Sequence, residues 1–300
     1  MEFKNIDSLV QYAKQKKLRK RLAVAAAADL HVLEAVCHAW EEKMIVPLLI
    51  GDKKRMEQIL SELHATLPDE ALIDETDSVC AAKRAVKLVK DGEADFLMKG
   101  LINTSELLRE VLNHDTGLKH GKTISHISIN EVPTYHKLLV VTDAGIVIHP
   151  SLEEKADIIR NAANALHAIG YEMPKVAVLT ALEKVNPKMP ETVDAAELKR
   201  MNRVGELPGC YIEGPISIDL ALDAESAQIK GFESPVVGNP DIVVVPDISC
   251  GNILNKSLRL LAHSKQVGMV MGSQVPIVLT SRGASAESKY LSVAAASLMA

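Results

Sequence analysis

The sequence predicts an α/β fold built on parallel sheet with helices on both faces. Two observations carry this. Short apolar runs alternate with longer segments whose apolar residues recur at helical spacing. Runs such as Arg21–Ala28, Ile45–Ile50 and Ala94–Met98 are apolar almost throughout, as strands buried on both faces are. Aromatic residues make up only 3% of the chain, so the core has to be assembled from Ala, Val, Leu and Ile.

Taken in order, residues 3–17 read as a short amphipathic helix. It ends in the basic run Lys14–Arg21, a solvated helix end or, alternatively, an anion-binding edge. The strand Arg21–Ala28 precedes a helix over Leu30–Lys43. The strand Ile45–Ile50 precedes a helix over Lys53–Leu63, and Ala71–Ile73 is a further short strand. A helix over Ser78–Asp91 leads to the strand Ala94–Met98, which empties into Lys99-Gly100. Asn103 with Glu106 three residues on is a capping-box start for a helix from about Ser105 to Asn113. Thr123–Ser128 and Leu138–Thr142 read as strands. Ser151 and Glu154 form a second capping box for the helix Leu152–Ile169, closed by Gly170. The strand Lys175–Thr180, the loop Pro187–Pro190 and the helix Thr192–Arg203 follow. Tyr211–Asp223 passes from strand to turn to helix. Asp241–Pro246 is a strand, and Gly251-Asn252 opens a helix running to about His263. Val267–Met271 and Val275–Leu279 are the last strands, and Ser285–Met299 the last helix. The expected division is a first α/β domain of residues 1–145 plus 276–300 and a second of 146–275.

A length of 300 residues fits one large domain or two of medium size. The net charge of −5 argues against a nucleic-acid binder that relies on global charge, though it leaves room for a local basic pocket. Cys37, Cys80, Cys210 and Cys250 lie far apart with no C-x-x-C pair, which points to free thiols rather than a zinc knuckle. The N-terminal stretch lacks the apolar core of a secretory signal. No uncharged apolar run reaches membrane-spanning length. These features lead us to expect a cytoplasmic protein with no membrane partner.

The stretch with the clearest chemistry is Pro276–Tyr290. An apolar run stops at Thr280-Ser281-Arg282-Gly283 and a helix follows at once. Backbone N–H groups and the positive dipole end at a helix start attract anions, and the Arg282 guanidinium suits phosphate or carboxylate. An ordinary strand–turn–helix with a surface arginine is the plainer reading. Other strand ends are also polar: Lys99-Gly100, Thr142-Asp143, Glu213-Gly214, and Asp247 followed by Gly251-Asn252. In parallel sheets such ends share one edge, where ligands bind.

Three tempting motifs fail. Gly117-Leu-Lys-His-Gly121-Lys122-Thr123 has the wrong glycine spacing for a P-loop and precedes a strand instead of a helix. No G-x-G-x-x-G follows a strand. Asp219 and Asp223, one helical turn apart, have the spacing to co-ligate Mg²⁺ but read more simply as a solvated acidic face. His126 and His149 lie near strand ends. Cys250, in the Asp247–Asn252 turn, reads as a small filling residue rather than a nucleophile.

The segments MKGLINTSELL (98–108), SHISINEVP (125–133), TDAGIVIHPSLEEKADIIRNA (142–162), EGPISIDLAL (213–222), SPVVGNPDIVVVPDISCGNILNKSLRLLA (234–262) and PIVLTSRGASAESK (276–289) occur here in one chain and in this order. Together they resemble the phosphate acetyltransferase/phosphate butyryltransferase family over nearly the whole chain from about residue 20. The TSR–SAE–K block, VNPKMPETVDA (185–195) and GNILNKSL (251–258) look closer to the butyryl branch. The resemblance implies two α/β domains with parallel or mixed sheets and flanking helices, similar to isocitrate and isopropylmalate dehydrogenases, with the active site in the cleft between them. It implies reversible transfer of an acyl group between coenzyme A and inorganic phosphate, with a short-chain acyl-CoA such as butyryl-CoA as substrate. Coenzyme A is then a substrate or product. The resemblance brings no metal or other cofactor, and it implies a homodimer or larger homo-oligomer.

Phosphate must attack a thioester carbonyl and CoA must leave as a thiolate, so the site needs cations for phosphate and donors for the oxyanion. On the resemblance, Arg282 takes phosphate and developing oxyanion charge, while Ser281 hydrogen-bonds the CoA sulfur or the carbonyl oxygen, beside Gly283. Asn252 and Lys256, one helical turn apart, serve CoA or phosphate with Asp247, and Lys99 is a further phosphate ligand. The acetyl branch carries an Asp seven residues after the SR serine as base for the CoA thiol. Here that position is Ser288, and the neighbouring Glu287 is the candidate substitute. Arginines that the acetyl branch uses elsewhere lack clear counterparts, and His126 is the candidate replacement. Two rival readings are a metal- and NAD-dependent hydroxyacid dehydrogenase of the same fold, using Asp219 and Asp223, and a non-catalytic CoA- or acyl-phosphate-binding protein.

Overall fold

The computed structural model describes residues 2–119, 123–281 and 283–300. Strands and helices alternate along most of it. The first stretch comprises α1 (Ile6–Lys16), β1 (Lys20–Ala25), α2 (Leu30–Glu41), β2 (Ile45–Gly51), α3 (Lys53–Glu62), β3 (Leu72–Asp74), α4 (Ser78–Lys90), β4 (Phe96–Lys99) and α5 (Thr104–Val111). The next comprises β5 (Ser125–Glu131), β6 (Leu139–Thr142), α6 (Leu152–Ala168), β7 (Lys175–Leu179), α7 (Pro190–Arg203), β8 (Tyr211–Ile216), α8 (Ile218–Leu222), α9 (Ala224–Ile229), β9 (Ile242–Val244) and α10 (Ile248–Leu261). The chain ends with β10 (Lys265–Met271), β11 (Ile277–Val278) and α11 (Ala286–Met299).

Helix starts follow the chemistry of their first N–H groups, which need acceptors from outside the helix. Asp29, Asp52 and Asp77 accept from the first turns of α2, α3 and α4. Both expected capping boxes form, Asn103 with Glu106 and Ser151 with Glu154. Pro190 stands at the start of α7, where a missing N–H costs nothing, so the expected loop gives way to helix at its last residue.

The chain groups into two units, one of residues 6–121 and 267–300, the other of residues 1–5 and 122–266. These divisions differ from the expected ones at 145/146 and 275/276. The second expected domain began after β6, but β6 pairs in parallel with β9 and in antiparallel fashion with β5. Strand pairing thus keeps 125–142 with the segment that follows.

In the unit of residues 6–121 and 267–300 the strand order is β3-β2-β1-β4-β11-β10. Every pair is parallel except β10 with β11, which no helix separates. Leu22, Val24, Ile45, Leu49, Phe96 and Leu97 are fully buried. Against this sheet lies α11, in which every residue from Lys289 to Leu298 is buried. Its LSVAAASL sequence has no polar face because none of its faces meets water. Its serines are satisfied locally: Ser292 donates to the Ser288 carbonyl and accepts from the Gly268 N–H.

In the other unit the order is β5-β6-β9-β7-β8, with β5 antiparallel and the rest parallel. Its core includes Val141, Ala177, Ile216, Leu220 and Val243. At the strand starts, Lys137 (1% exposed) and Asp241 (4%) form a buried ion pair of 2.7 Å. The second Asp241 oxygen accepts from the Lys175 N–H, and Lys137 also donates to the Asn239 carbonyl.

Two sequence expectations are corrected here. α10 begins at Ile248, not at Gly251, because Asp247 caps it by accepting from Ser249 and Cys250. Glu213-Gly214 is not a strand end but lies inside β8. There Glu213 is paired with Lys199, and a Cβ on Gly214 would stand 2.9 Å from the Val178 Cβ. The chain after Asp223 re-enters helix as α9, because Asp223 turns its carboxylate to the Glu225 and Ser226 N–H groups.

Candidate active site

In the first unit β1, β4 and β11 are parallel neighbours. Val24 stands opposite Met98, and Met98 opposite Val278. The segments leaving these strands therefore share one edge. Gly100 and Leu101 donate to the carbonyls of Ala25 and Ala26. A Cβ on Gly100 would come within 2.2 Å of the Ala26 oxygen, so only glycine permits this approach. Lys99 is 6% exposed, and its ammonium donates to the carbonyls of Gly100 at 3.2 Å and Ile102 at 3.0 Å.

Beside it, β11 releases the chain into Thr280 and the exposed Ser281. Arg282 lies outside the described residues. Gly283 is exposed, and a Cβ there would meet open space. The turn closes with the Ala284 N–H donating to the Ser281 carbonyl, and Ser285 caps α11 by accepting from Ser288. A lysine to which the sequence reading gave no role then enters. Lys289 is 4% exposed and donates to the Ala284 carbonyl at 2.8 Å, bracing the turn from beneath. Burial pushes its ammonium below the usual lysine value, against the pull of Asp29 at the start of α2. A charged residue at the head of an otherwise small and apolar helix was the available signal.

Glu287 points elsewhere. It lines a groove of about 680 Å³ between α1, α2 and α11, in the company of Asp7, Glu34, Glu41 and Glu42. On the same wall Tyr290 stacks on His38, with ring centroids 4.1 Å apart, and its hydroxyl donates to Glu42.

In the second unit the parallel strands β6, β9, β7 and β8 again end along one edge, with Thr142 opposite Val244 and Val244 opposite Val178. The antiparallel β5 begins at this edge, and the Thr142 hydroxyl donates to the His126 carbonyl at 2.9 Å. The Thr142-Asp143 peptide is cis. The Asp143 carboxylate, buried, accepts from the N–H groups of Gly145, Ile146 and Val147. The His126 ring lies against Gly145, whose added Cβ would be 3.4 Å from its Cγ. Burial pushes the imidazole below the usual histidine value, and the Asp143 carboxylate pulls the other way. His149 is exposed on the segment that follows.

The start of α10 closes on this turn. A Cβ on Gly251 would stand 2.6 Å from the Asp143 oxygen and 2.8 Å from the Ala144 Cα. Gly251 is thus the buried contact that seats the helix, while Cys250 is exposed in the first turn, contrary to its reading as a filler. Burial, with Asp247 beside it, raises the Cys250 thiol. Asn252 and Lys256 are exposed one turn apart, as their spacing required.

The sequence-predicted residues thus fall into two groups. Lys99, Ser281 and Gly283 share one strand edge, with Glu287 on the helix that follows. His126, Asp247 and Asn252 lie along the other, with Lys256 one turn further along α10. The two acids considered for a metal are already engaged. Asp219 pairs with Lys230 at 2.8 Å, which holds its carboxyl down to about 2, and Asp223 caps α9.

The model of the family described as phosphate acetyl/butaryl transferase matches residues 75–297. The chain belongs to this family. A phosphate acetyltransferase of Thermotoga maritima is 42% identical over 98% of this chain and 99% of its own length. A phosphate butyryltransferase of Clostridium acetobutylicum is 41% identical over 99% and 98%. Family membership makes the chain a transferase, and identities this close do not separate the acetyl from the butyryl branch. Among solved structures, a branched-chain phosphotransacylase from Enterococcus faecalis V583 superposes with a TM-score of 0.81 at 33% identity, over 93% of this chain and 98% of that one. A 4-hydroxythreonine-4-phosphate dehydrogenase from Burkholderia phymatum shares the fold alone, with a TM-score of 0.56 at 15% identity over 93% and 98%. The expected dehydrogenase-like α/β fold is thereby found, in a chain whose family performs acyl transfer.

Proposed function

We propose that this transferase exchanges a short acyl group between coenzyme A and inorganic phosphate, reversibly, with butyryl-CoA or a similar short-chain thioester as substrate. The observation that carries the reading is identity of about two residues in five to phosphate acetyl- and butyryltransferases, across 98% or more of both chains. The solved branched-chain phosphotransacylase supports acyl groups larger than acetyl.

In this reading Arg282 holds phosphate and the charge that develops on the thioester oxygen. Ser281 donates to the CoA sulfur or the carbonyl oxygen. Lys99 makes its edge electropositive, and Gly283 leaves the turn open to substrate. Asn252 and Lys256 on α10 serve CoA or phosphate. Asp247 acts through the helix it caps. Glu287, the base suggested by sequence, lines the groove with α1 and α2 and is left out of this reading; a thiol with an ordinary pKa near 8.5 already supplies a few per cent thiolate at neutral pH. Coenzyme A enters as substrate and leaves as product, and the chemistry asks for no further cofactor. A homodimer or larger homo-oligomer is supported by Ile253, Leu260 and Leu261, which stand 66%, 61% and 79% exposed on α10. No helix among the described residues is long and apolar enough to cross a membrane. A cytoplasmic site is part of the proposal.

The test is release of CoA from C2 to C5 acyl-CoA, with and without phosphate. Phosphate-dependent release, greatest with C4 or branched chains, is expected; no release with any of them would sink the reading. Arg282→Ala should lower kcat/KM by about 10²–10³-fold, the usual cost of one oxyanion donor. Near-wild-type kinetics would remove Arg282 from its role.

A further inference from the structure

α10 contrasts with α11 in how it is held. α11 is buried continuously from Lys289 to Leu298, whereas Gly251 is the one fully buried residue of the 14-residue α10. Leu254 and Leu258 are partly buried against the core, and Ile253, Leu260 and Leu261 stand out from it. Apolar burial is non-directional, so so thin a contact does not fix where the helix sits along or around its axis. Directional contacts have to do this. At the helix start the Ile248 N–H donates to the Ile148 carbonyl at 3.1 Å, and Gly251 lies close to Asp143. In the middle of the helix the contact comes from Gln266.

Gln266 is half-buried at the start of β10. Its Nε2 donates to Asn130 Oδ1 at 2.7 Å, to the Asn255 carbonyl at 2.8 Å and to the Ser264 hydroxyl at 3.2 Å. Asn130 is fully buried in β5, and its Nδ2 donates to the carbonyls of Ser128 at 2.9 Å and Leu139 at 3.2 Å. Each amide nitrogen faces carbonyl oxygens, which only accept, so turning either amide over would set oxygen against oxygen. Asn130 is thus fixed by the sheet, and Gln266 carries that fixation to the main chain of α10. The Asn255 carbonyl it reaches lies three residues after Asn252 and one before Lys256. A carbonyl oxygen has two lone pairs, so this bond adds to the helix's own bonding without displacing it.

We propose that Gln266 is a positioning residue of the candidate site: anchored on Asn130, its amide locks the middle of α10 and so sets where Asn252 and Lys256 stand. This rests on the acyl-transfer reading above, in which those two side chains serve CoA or phosphate, and deepens it by giving them a support outside their own helix. Both are exposed, so their place is set by the backbone that carries them. A displacement of α10 is passed to both at once, and misplacement by about 1 Å costs up to about 10²-fold in rate. Ser281 stands on a different element, in the turn before α11. A shift of α10 therefore acts on substrate binding and leaves the chemistry of that turn in place.

The test is a mutant cycle on the full chain, with kinetics in both directions. Gln266→Leu removes the amide, and Asn252→Ala/Lys256→Met removes the groups it positions. Gln266→Leu should raise the KM for CoA or for phosphate about tenfold, with kcat within about threefold of wild type. In the Asn252→Ala/Lys256→Met background it should change that KM less than about twofold, because the groups it acts through are gone. Gln266→Glu, of equal size, sets an oxygen against the two carbonyl oxygens and should be impaired at least as much, which lost packing alone would not produce. Hydrogen exchange reads the lock without turnover. Amides in the C-terminal half of α10 should exchange about tenfold faster in Gln266→Leu, with those of α6 unchanged. The proposal is overturned by equal effects in the two backgrounds, by both KM values staying within about twofold of wild type, by a Glu variant that behaves as wild type, or by unchanged exchange along α10. Should the Leu variant fail to fold, Gln266→Asn, whose amide is one carbon shorter, is held to the same outcomes. A wild type without phosphate-dependent CoA release would count against the transferase reading alone, and exchange along α10 then decides the lock.

Discussion

The two strand edges satisfy their charges in opposite ways. At the edge of β1, β4 and β11 the buried groups are ammoniums, Lys99 and Lys289, and the turns Gly100–Ile102 and Ser281–Ser285 give them carbonyl oxygens. At the edge of β6 and β9 the groups are carboxylates, Asp143 and Asp247, and backbone N–H groups surround them. The first edge buries its cations beneath its turns. The second uses its carboxylates to hold loop and helix in place, with Asn252 exposed on the helix they seat. Similar sheets with similar glycine approaches, Gly100 on Ala26 and Gly251 on Asp143, have been given different electrostatic tasks.

The comparison breaks most sharply at a charge pair that belongs to neither edge. Lys137 and Asp241 lie at the strand starts of the second unit. Lys137→Met leaves Asp241 buried and unpaired, which should cost about 3–5 kcal/mol. A lowered urea midpoint would register this, while kcat of the folded fraction should stay unchanged. A fall in kcat per folded molecule would show that strand starts and strand ends are coupled.

Lys289→Met sharpens the claim that the first edge is built from cations. It should lower kcat/KM about tenfold through loss of the brace on the Ser281 turn, and Lys289→Arg should recover part of it. Stability should change with pH in a definite direction. The folded pKa of Lys289 lies below its unfolded value of about 10.5. As pH rises between the two, the unfolded chain holds more protons than the folded one, so wild type gains stability relative to the Met variant. Melting temperatures of both proteins at pH 8 and pH 10 measure this. A gap that is constant, or that moves against wild type, would mean the lysine is not held at a desolvation cost. The smallest expected effect is that of Ser151→Ala, which removes the side-chain cap of α6. About 1 kcal/mol should be lost, with kinetics unaltered.

Most of the alternation of strand and helix was legible because it depends on local rules, apolar runs and capping boxes. The Ser281 turn was legible for the same reason, as a strand end that passes directly into a capped helix. What could not be read depends on approaches between residues distant in sequence. Gly251 looked like a helix start because glycine ends regular structure, but its reason for being there is the backbone of Asp143, 108 positions earlier. Glu213 looked like a strand-end acid, and its engagement with Lys199 depends on how α7 lies against β8. Glu287 sat next to the position of a missing base, yet one step around a helix directs it into the groove with α1 and α2. Lys289 was in plain view within a recognised motif. Only its burial and its bond to Ala284 show that it braces the turn.

The helix that follows the Ser281 turn has a consequence of its own. From Lys289 to Leu298 α11 presents no residue to solvent. Its amides therefore exchange with water only when the whole unit opens. The turn is fastened to the head of this helix by the Ser285 cap and the Lys289 brace. It inherits an anchor as slow to open as the fold itself.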